Sequence, residues 1–359
     1  MQIDLHHAGI YALCRITGMS SYYAEIVAYS SQYVDDALYG EVLLFKNGGV
    51  FKQIQTAHRL LKPRELNLNE ALDVWLPFHF LPNGDPNNPD PFLTAPNSKV
   101  LALLLEDIRC SSSEHILYRL GIGLHCFADA YAHQDFKGLY DTYNDVELIS
   151  GLGERNVREY GGRLALKLLD RRSAGLFSIG HSEVQANPDI PYLTWEYARW
   201  GQVVQINNLE ERYLPALRNI YDYLVYFLGK NPQYGSNYPV KAFDAYLEVF
   251  RELLSFVGTQ EERHENWLKY IKKNRFSLPD FDKTDRSLAY DKQAWFEQAV
   301  EAVSVPKTKN LYNQSFQNIV YRQKEGFADS HWVKFMQAAV EHRFLIIHCF
   351  LPELGFVVG

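Results

Sequence analysis

The stretch Gly123-Leu-His-Cys-Phe-Ala-Asp-Ala-Tyr-Ala-His-Gln-Asp-Phe136 carries the strongest pattern in the chain. It places His125, Asp129 and His133 four residues apart, and on an α-helix that spacing puts all three on one face. The two histidines would lie about 12 Å apart along the axis, because each helical residue advances about 1.5 Å. Asp129 lies midway and offers two oxygens. The stretch therefore predicts a site for two or more metal ions, with Asp129 as the bridge.

A polar stripe on a helix surface is the simpler interpretation of the same three residues. Their neighbours argue against it, because they are apolar: Leu124, Phe127, Ala128, Ala132 and Phe136. A buried carboxylate between two imidazoles is costly unless it is paired or bound to metal. For isolated histidines the ordinary interpretation, a hydrogen-bonded core residue, is kept: His58, His115, His264, His331, His342 and His348.

The amino-acid composition and charge argue against some classes of protein. The 359 residues are 47% hydrophobic and carry a formal net charge of −7. No run of lysine or arginine is present, so non-specific binding to duplex nucleic acid is not expected. The chain opens on Met1 without a leader-like segment, and no apolar run reaches the roughly 18 residues of a membrane span. We expect a soluble, cytoplasmic protein, and the sequence leaves its oligomeric state open.

Periodicity predicts an all-α fold, a multi-helix bundle with additional C-terminal helices. Apolar residues recur at helical spacing in the following ranges: 99–108, 113–137, 153–171, 206–228, 240–257, 262–273, 289–304 and 327–350. No strong period-two pattern stands out, although the turn Asn47-Gly48-Gly49 leaves room for one small hairpin near 41–54. We expect a metal-binding core over 1–230 and a helical extension over 231–359 packed on it, with one single domain as the alternative.

Further candidate ligands precede and follow the central helix. They are Asp4, His6, Asp35, Asp36, His79, His181 and Asp189. Two acidic residues at a helix C-terminus oppose the helix dipole, so one of the pair 35–36 is predicted to be a ligand, with Asp36 favoured. The competing interpretation of Asp189 is an ordinary Asn-Pro-Asp turn. Histidine and carboxylate donors without cysteine suit Zn²⁺, with Fe or Mn as alternatives.

The order of these residues resembles the zinc-dependent phospholipase C family and the single-strand nucleases that share its fold. The resemblance covers roughly residues 1–200 and implies an all-helical enzyme with a three-zinc cluster. The matching positions are His6, Asp36, His79, His125, Asp129, His133 and His181. The family also uses a free N-terminal amine, which Asp4 would replace, and a later carboxylate, which Asp189 would supply.

The chain also resembles an uncharacterised bacterial group. That group shares an Asp-x-His start, a Ser-Gln-Tyr-Val-Asp-Asp segment and a His-Phe-Leu-Pro segment. Here these are residues 4–6, 31–36 and 79–82. This second resemblance implies no activity.

The family resemblance implies a metal-dependent hydrolase of phosphate esters. Asp36, His79, His125 and Asp129 would hold one metal; His133, His181 and Asp189 a second; Asp4 and His6, with Asp129, a third. Asp35 and Asp129 would serve catalysis, with Asp35 accepting a proton. Tyr131, Tyr192 and Trp195 would line the cleft, and the substrate would be a small phosphodiester or a lipid head group. The alternative is a non-catalytic helical protein that binds a ligand and holds one structural metal or none.

Overall fold

The computed structural model describes residues 1–58, 68–152, 178–236, 238–304 and 319–358. About 54% of it is helical, and it also contains one four-stranded and one three-stranded sheet. The prediction of an all-α bundle is therefore wrong, and the fold is mixed α/β. The helix predicted over 153–171 lies outside the described residues.

The longer helices follow the apolar periodicity of the sequence. In chain order they are α1 (Ile10–Ile16), α2 (Ser21–Asp36), α3 (Lys99–Cys110), α4 (Ile116–Ala132), α5 (Leu214–Lys230), α6 (Leu247–Leu254), α7 (Gln260–Lys272), α8 (Lys283–Ser287), α9 (Ala294–Ala299) and α10 (His331–Leu345). Shorter helical segments connect them. These are π-helical at Asp4–Gly9, Ala71–Trp75, Leu209–Tyr213 and Ile346–Phe350, single α-turns at Leu68–Glu70, Leu76–Phe78 and Leu351–Glu353, and 3₁₀ turns at Thr142–Asn144, Ser182–Val184, Asn187–Asp189, Pro232–Tyr234, Phe243–Tyr246 and Phe327–Asp329.

Seven strands form the two sheets. They are β1 (Val42–Phe45), β2 (Val50–Lys52), β3 (Glu147–Ser150), β4 (Thr194–Arg199), β5 (Gln202–Asn207), β6 (Val300–Ser304) and β7 (Val320–Gln323). The first sheet has the order β2-β1-β7-β6, with β1 and β7 parallel and the other pairs antiparallel. The hairpin expected near 41–54 is confirmed as the pair β1–β2. The second sheet is antiparallel, in the order β3-β4-β5.

The hairpin β4–β5 shows why the sequence pattern did not predict strands. Along β4 the side chains of Trp195, Tyr197 and Arg199 are buried and alternate with more exposed residues, which is the period of a strand packed on one side. Trp200 and Gly201 form the two-residue turn, and both have positive φ, 51° and 81°. Such turns usually begin with Asn, Asp or Gly, so a turn that begins with tryptophan carries a weak signal.

The predicted helix over 289–304 changes to a strand partway along. Helix α9 ends at Ala299, and β6 begins at Val300 and pairs with β7. The side chain of Val300 is buried, whereas that of Glu301 is exposed. The β-branched residues and the pairing partner favour the extended backbone over another helical turn.

Helix α4 lies at the centre of the main core, and all of its residues are buried. It packs against α2, where a Cβ at Gly121 would overlap the side chain of Ser30 and the carbonyl of Val27. The same continuous core contains side chains from both sides of residue 230, including Trp267 of α7 and Trp332 of α10. Polar side chains on α4 must therefore find their partners inside the protein.

Over the described ranges, none of the helices combines the length and the apolar character that crossing a bilayer requires.

A buried ion network ties α8 to α1. The guanidinium of Arg15 donates from Nε to Asp285 Oδ1 at 2.8 Å and from one terminal nitrogen to Asp280 Oδ1 at 2.7 Å. The hydroxyl of Tyr11 donates to Asp285 Oδ1 at 2.7 Å. The side chains of Arg15 and Asp285 have no solvent exposure, so each charge depends on the other for compensation.

Replacing Asp285 by asparagine leaves this arginine with a neutral partner. We expect Asp285→Asn to lower the free energy of unfolding by about 1.5–3 kcal/mol, the range for hydrogen bonds to charged groups, because the buried guanidinium keeps only the partly exposed carboxylate of Asp280. Urea denaturation measures the loss. The control is Glu301→Gln, whose ion pair with Arg322 is about half exposed on both sides and is worth about 0–1 kcal/mol. Equal losses in the two variants would show that the Arg15 network is not a stabilising element.

Candidate metal centre

The centre is built on the last two turns of α4. Asp129 Oδ2 lies 3.2 Å from His125 Nε2 and 3.6 Å from His133 Nδ1. His133 follows directly after the helix, as its C-terminal capping residue. All three side chains are buried. The helical spacing of the sequence thus places one carboxylate between two imidazoles in the interior.

Two further side chains complete a first donor set, defined here as Asp35, His79, His125 and Asp129. His79 follows the short helix Leu76–Phe78, and its Nδ1 lies 3.2 Å from His125 Nε2 and 3.3 Å from Asp129 Oδ2. Asp35, in the last turn of α2, has its Oδ1 at 3.9 Å from both of those histidine nitrogens. Four potential ligand atoms therefore converge from three segments of the chain.

These separations match a tetrahedral metal site. A site with metal–ligand bonds of about 2.0–2.1 Å has ligand atoms about 3.3–3.4 Å apart. The three separations among His79, His125 and Asp129 lie between 3.2 and 3.3 Å, and those to Asp35 are 3.9 Å. His79, His125 and Asp129 therefore have the spacing of ligands to one ion, and Asp35 joins the two histidines in a group with metal-ligand spacing.

A second donor set consists of His133, His181 and Asp189. Asp189 Oδ1 lies 3.1 Å from His133 Nε2, and Asp189 Oδ2 lies 3.6 Å from His181 Nε2. One ligand atom from each residue lies within 4.8 Å of the others. Three protein ligands leave a fourth coordination position for water or substrate, the pattern of catalytic rather than structural zinc sites.

Four histidines of the two sets share one arrangement. Each has one ring nitrogen within hydrogen-bond distance of a backbone carbonyl oxygen: His125 Nδ1 with Ser31 at 2.9 Å, His133 Nδ1 with His79 at 2.9 Å, His181 Nδ1 with Gln185 at 2.7 Å and His79 Nε2 with Thr56 at 2.8 Å. A carbonyl oxygen only accepts, so that nitrogen carries the hydrogen, and in the neutral ring the other nitrogen presents its lone pair to the donor set. Lone pairs facing carboxylate oxygens repel one another unless a cation lies among them. Backbone anchoring of this kind is typical of histidines that ligate metals.

His6 and the amino group of Met1 lie on the other side of Asp129. His6 Nε2 is 3.1 Å from Asp129 Oδ1, and its ring stacks on that of His125 with centroids 3.9 Å apart. Neither nitrogen of this buried ring has a hydrogen-bond partner. The Met1 amine lies 2.5 Å from Asp129 Oδ1 and 3.2 Å from Asp189 Oδ1. His6, His125 and Asp129 thus form a further group with metal-ligand spacing.

The electrostatics of the centre favour the ionised form of two of its carboxylates, Asp129 and Asp189, whereas burial raises the pKa of Asp35. Burial alone would raise the pKa of Asp129, but His133, the Met1 amine and His125 hold it well below its usual value. The pKa of Asp189 is likewise lowered, against the effect of burial, by the Met1 amine and His181. Burial opposes the charge on the Met1 amine, yet Asp129 and Asp189 raise its pKa to about 10. Burial lowers the pKa of His6 well below its usual value, so this imidazole is neutral and able to act as a ligand.

The structure separates the adjacent candidates Asp35 and Asp36. Asp35 faces His79 and His125, whereas Asp36 Oδ2 accepts hydrogen bonds from the hydroxyl of Tyr290 at 2.7 Å and from Gln32 at 3.1 Å. Neighbouring residues on a helix point about 100° apart, so only one of the pair can face the cluster. The structure thus places Asp35, and not the favoured Asp36, in a donor set.

Asp4 and the three aromatic side chains expected to line the cleft lie outside the donor sets. Asp4 Oδ2 accepts from Arg263 Nε at 2.7 Å and joins neither donor set. Trp195 points into the core from β4 and donates its indole N–H to Asn208 at 3.0 Å. Tyr131 is buried in the core around α4. Tyr192 is partly buried, with its hydroxyl 3.5 Å from the carbonyl of Gly258. Inward strand and helix positions thus keep Trp195 and Tyr131 from lining an open cleft.

The chain belongs to the family of unknown function DUF6765, whose model matches residues 1–350. No curated protein matches the chain, and no solved structure matches it. The assignment to the zinc-dependent phospholipase C and single-strand nuclease superfamily is therefore wrong, because the matched family is a different one and the structure contains two sheets. The interpretation of the two donor sets as metal ligands therefore uses only the geometry of this structure.

The neighbours Asp35 and Asp36 allow a matched test of the first donor set. We expect Asp35→Asn to weaken the binding of one Zn²⁺ by at least about tenfold, because a ligand is lost where even outer-shell changes cost 10–100-fold. Asp36→Asn should bind within about threefold of the wild type, which is under 1 kcal/mol. Competition against a chromophoric chelator measures both affinities. The reverse order would show that Asp36 is the ligand.

A second prediction concerns acid stability. His264 Nε2 lies 2.9 Å from His7 Nδ1, and burial lowers the pKa of His264 to about 4. In the unfolded chain its pKa is about 6.5. Between pH 6.5 and 4 the unfolded state therefore binds this proton first, and the stability that is present above pH 6.5 is lost as the pH falls.

We expect His264→Gln to remove on the order of 1–3 kcal/mol of that loss between pH 6.5 and 4. Urea unfolding across this range, with pH 8 as the reference where the imidazole is neutral, gives the difference. Parallel stability profiles for the wild type and the variant would contradict the prediction.

Proposed function

We propose that this protein binds two or three transition-metal ions, Zn²⁺ first among them, and hydrolyses phosphate esters at the centre they form. The observation that carries the proposal is the common orientation of His79, His125, His133 and His181. Each has one nitrogen on a backbone carbonyl, and the other faces Asp35, Asp129 or Asp189. Buried charge and lone pairs so arranged need cations.

The donor chemistry supports Zn²⁺ over harder ions. Imidazole nitrogens make up half of the first set and two thirds of the second, and imidazole suits Zn²⁺, whereas Mg²⁺ and Ca²⁺ prefer all-oxygen sites. Fe and Mn remain alternatives, since both bind mixed nitrogen and oxygen ligands. No cysteine is in either set. The thiol of Cys126, next to His125, instead donates to the carbonyl of Phe78 at 3.2 Å.

The solvent exposure of the donor sets supports a catalytic centre rather than a closed structural site. The side chain of Asp35 is 32% exposed, and those of His181 and Asp189 are each 12% exposed. The other members of the sets are more deeply buried. Each donor set therefore has at least one side chain that solvent reaches, whereas Asp129 is covered.

The reaction proposed is attack of a water-derived hydroxide on phosphorus, which breaks the P–O bond to the alcohol; the alcohol leaves after its oxygen takes up the proton released by the water. Bound metal ions would lower the pKa of water to about 7 and neutralise phosphoryl oxygens, and paired sites of this kind hold both the attacking and the leaving oxygen. Asp129 Oδ2 lies between the two donor sets, at 3.2–3.3 Å from His125 and His79 of the first and at 3.6 Å from His133 of the second. Asp35, the most exposed carboxylate, is positioned to accept a proton at the edge of the centre. A small phosphodiester or a lipid head group fits this chemistry.

Metal content and hydrolysis test the proposal together. Elemental analysis of the purified protein should give two or three zinc equivalents, and Asp129→Asn should lose most of them because Asp129 contacts four of the candidate ligands, His6, His79, His125 and His133. The wild type should hydrolyse bis(p-nitrophenyl) phosphate, stop on removal of zinc and recover on its return. His264→Gln, outside the donor sets, should keep both metal and activity.

A non-catalytic protein is the second candidate, and one observation favours it. Protons can also neutralise Asp129. The Met1 amine lies against it, and Asp129 raises the pKa of His79 against the opposing effect of burial. Absence of zinc with no uptake from added Zn²⁺ would leave a buried hydrogen-bond network. Bound zinc without hydrolysis of any phosphoester would leave a structural metal.

A further inference from the structure

Two buried side chains outside the donor sets contact the turn that carries His79. The short helix Leu76–Phe78 ends immediately before His79. The last carbonyls of a helix have no partners within it and must find others. Pro77 and Phe78 are fully buried or nearly so, so water does not serve these carbonyls.

Side chains from two distant helices satisfy them. His342 of α10 donates from Nε2 to the Pro77 carbonyl at 2.7 Å, and Cys126 of α4 donates its thiol to the Phe78 carbonyl at 3.2 Å. The ring of His342 also stacks on that of Phe78, with centroids 5.1 Å apart and planes 22° from parallel. His342 and Cys126 are each 1% exposed. The two donors are neighbours, with 3.7 Å between Cys126 Sγ and His342 Nε2, and together they hold the turn before His79.

We propose that His342 and Cys126 are positioning residues that set the His79 imidazole in the first donor set. The inference rests on the proposed metal function and names residues that act through His79 without touching an ion. Metal ligands need placement within about 0.5 Å, and that precision comes from the groups that hold the ligand's own backbone and ring. Here the backbone is held at Pro77 and Phe78, and the ring at Thr56.

The chemistry of His342 argues for this role over simple packing. Its Nδ1 is buried without a hydrogen-bond partner, and an unsatisfied buried polar atom costs about 1–3 kcal/mol. A phenylalanine or leucine would fill the space next to Phe78 without that cost. What the imidazole adds is one donor at the Pro77 carbonyl. The polar contact therefore serves the turn.

Four variants test the proposal on the intact protein. His342→Leu removes the donor, and His342→Gln keeps an amide nitrogen near the position of Nε2. The control is His331→Leu on the same helix α10, which also loses one side-chain hydrogen bond, 2.7 Å long, to Tyr118. Cys126→Ala provides a second route to the same turn if the leucine variant does not fold.

Two measurements are made on each protein. Titration with Co²⁺ should show that His342→Leu and Cys126→Ala weaken the binding of one ion by about 10–100-fold and change its visible d–d spectrum. His342→Gln should restore both, and His331→Leu should leave both unchanged. In metal-free protein, the ¹⁵N signals of the His79 ring, assigned with His79→Gln, should shift in the same two variants only.

The outcomes separate the two proposals. Wild-type Co²⁺ affinity, spectrum and His79 ring signals in both His342→Leu and Cys126→Ala would overturn the positioning role. So would equal changes in His331→Leu, which would mark a general loss of stability. A wild type that binds no Co²⁺ or Zn²⁺, but whose His79 signals still depend on His342, would overturn the metal function and keep the positioning role.

Discussion

The buried carboxylate of Asp129 is the constraint on which the rest of the centre depends. Charge transferred from water to a protein interior costs several kcal/mol unless it is compensated. Helix α4 carries Asp129 into the core with every one of its residues buried, and Gly121 lets α2 approach without a gap. Compensation must therefore come from other groups of the protein, among them the Met1 amine. It comes from different segments, including His6 and His79, as well as from α4 itself.

The sequence predicted the part of the site that lies on one helix. His125, Asp129 and His133 share a face because the helical repeat fixes their relative directions, whatever the rest of the chain does. Asp35 and Asp36 could not be separated in this way. They differ by about 100° in direction, and which one faces the cluster depends on the rotation of α2 against α4. That rotation is set by contacts such as Ser30 with Gly121, which no local pattern reveals.

The sheets also depend on contacts that no local sequence pattern reveals. Strand β1 pairs in parallel with β7, nearly three hundred residues later in the chain, and short strands are stabilised by such partners more than by their own propensity. In the segment 289–304 the first part is helical and the second extended, although one apolar pattern runs through both. The two-residue period of Trp195, Tyr197 and Arg199 in β4 is too short to stand out in the sequence, and the turn at Trp200 lacks the residues that usually signal a hairpin.

The sequence predicts His342 to be a hydrogen-bonded core residue, and its side chain does lie in the core. Burial and function are not alternatives at this position. An isolated histidine in an apolar helix gives no local sign of the carbonyl it will meet, which here is that of Pro77, 265 residues earlier. The consequence for the fold is that α10, far along the chain, contacts the turn that carries His79.

The two oxygens of Asp129 have different surroundings, and this difference organises the centre. Oδ2 faces His79, His125 and His133, while Oδ1 faces His6 and the Met1 amine. The same amine also lies 3.2 Å from Asp189, so the two donor sets share one electrostatic environment. In the proposed metal centre, metal ions and protons would compete for these lone pairs, because an imidazole ligates only when that nitrogen is unprotonated. The backbone carbonyls accept the ring N–H of four histidines, and this would favour the form of each ring that binds a metal ion.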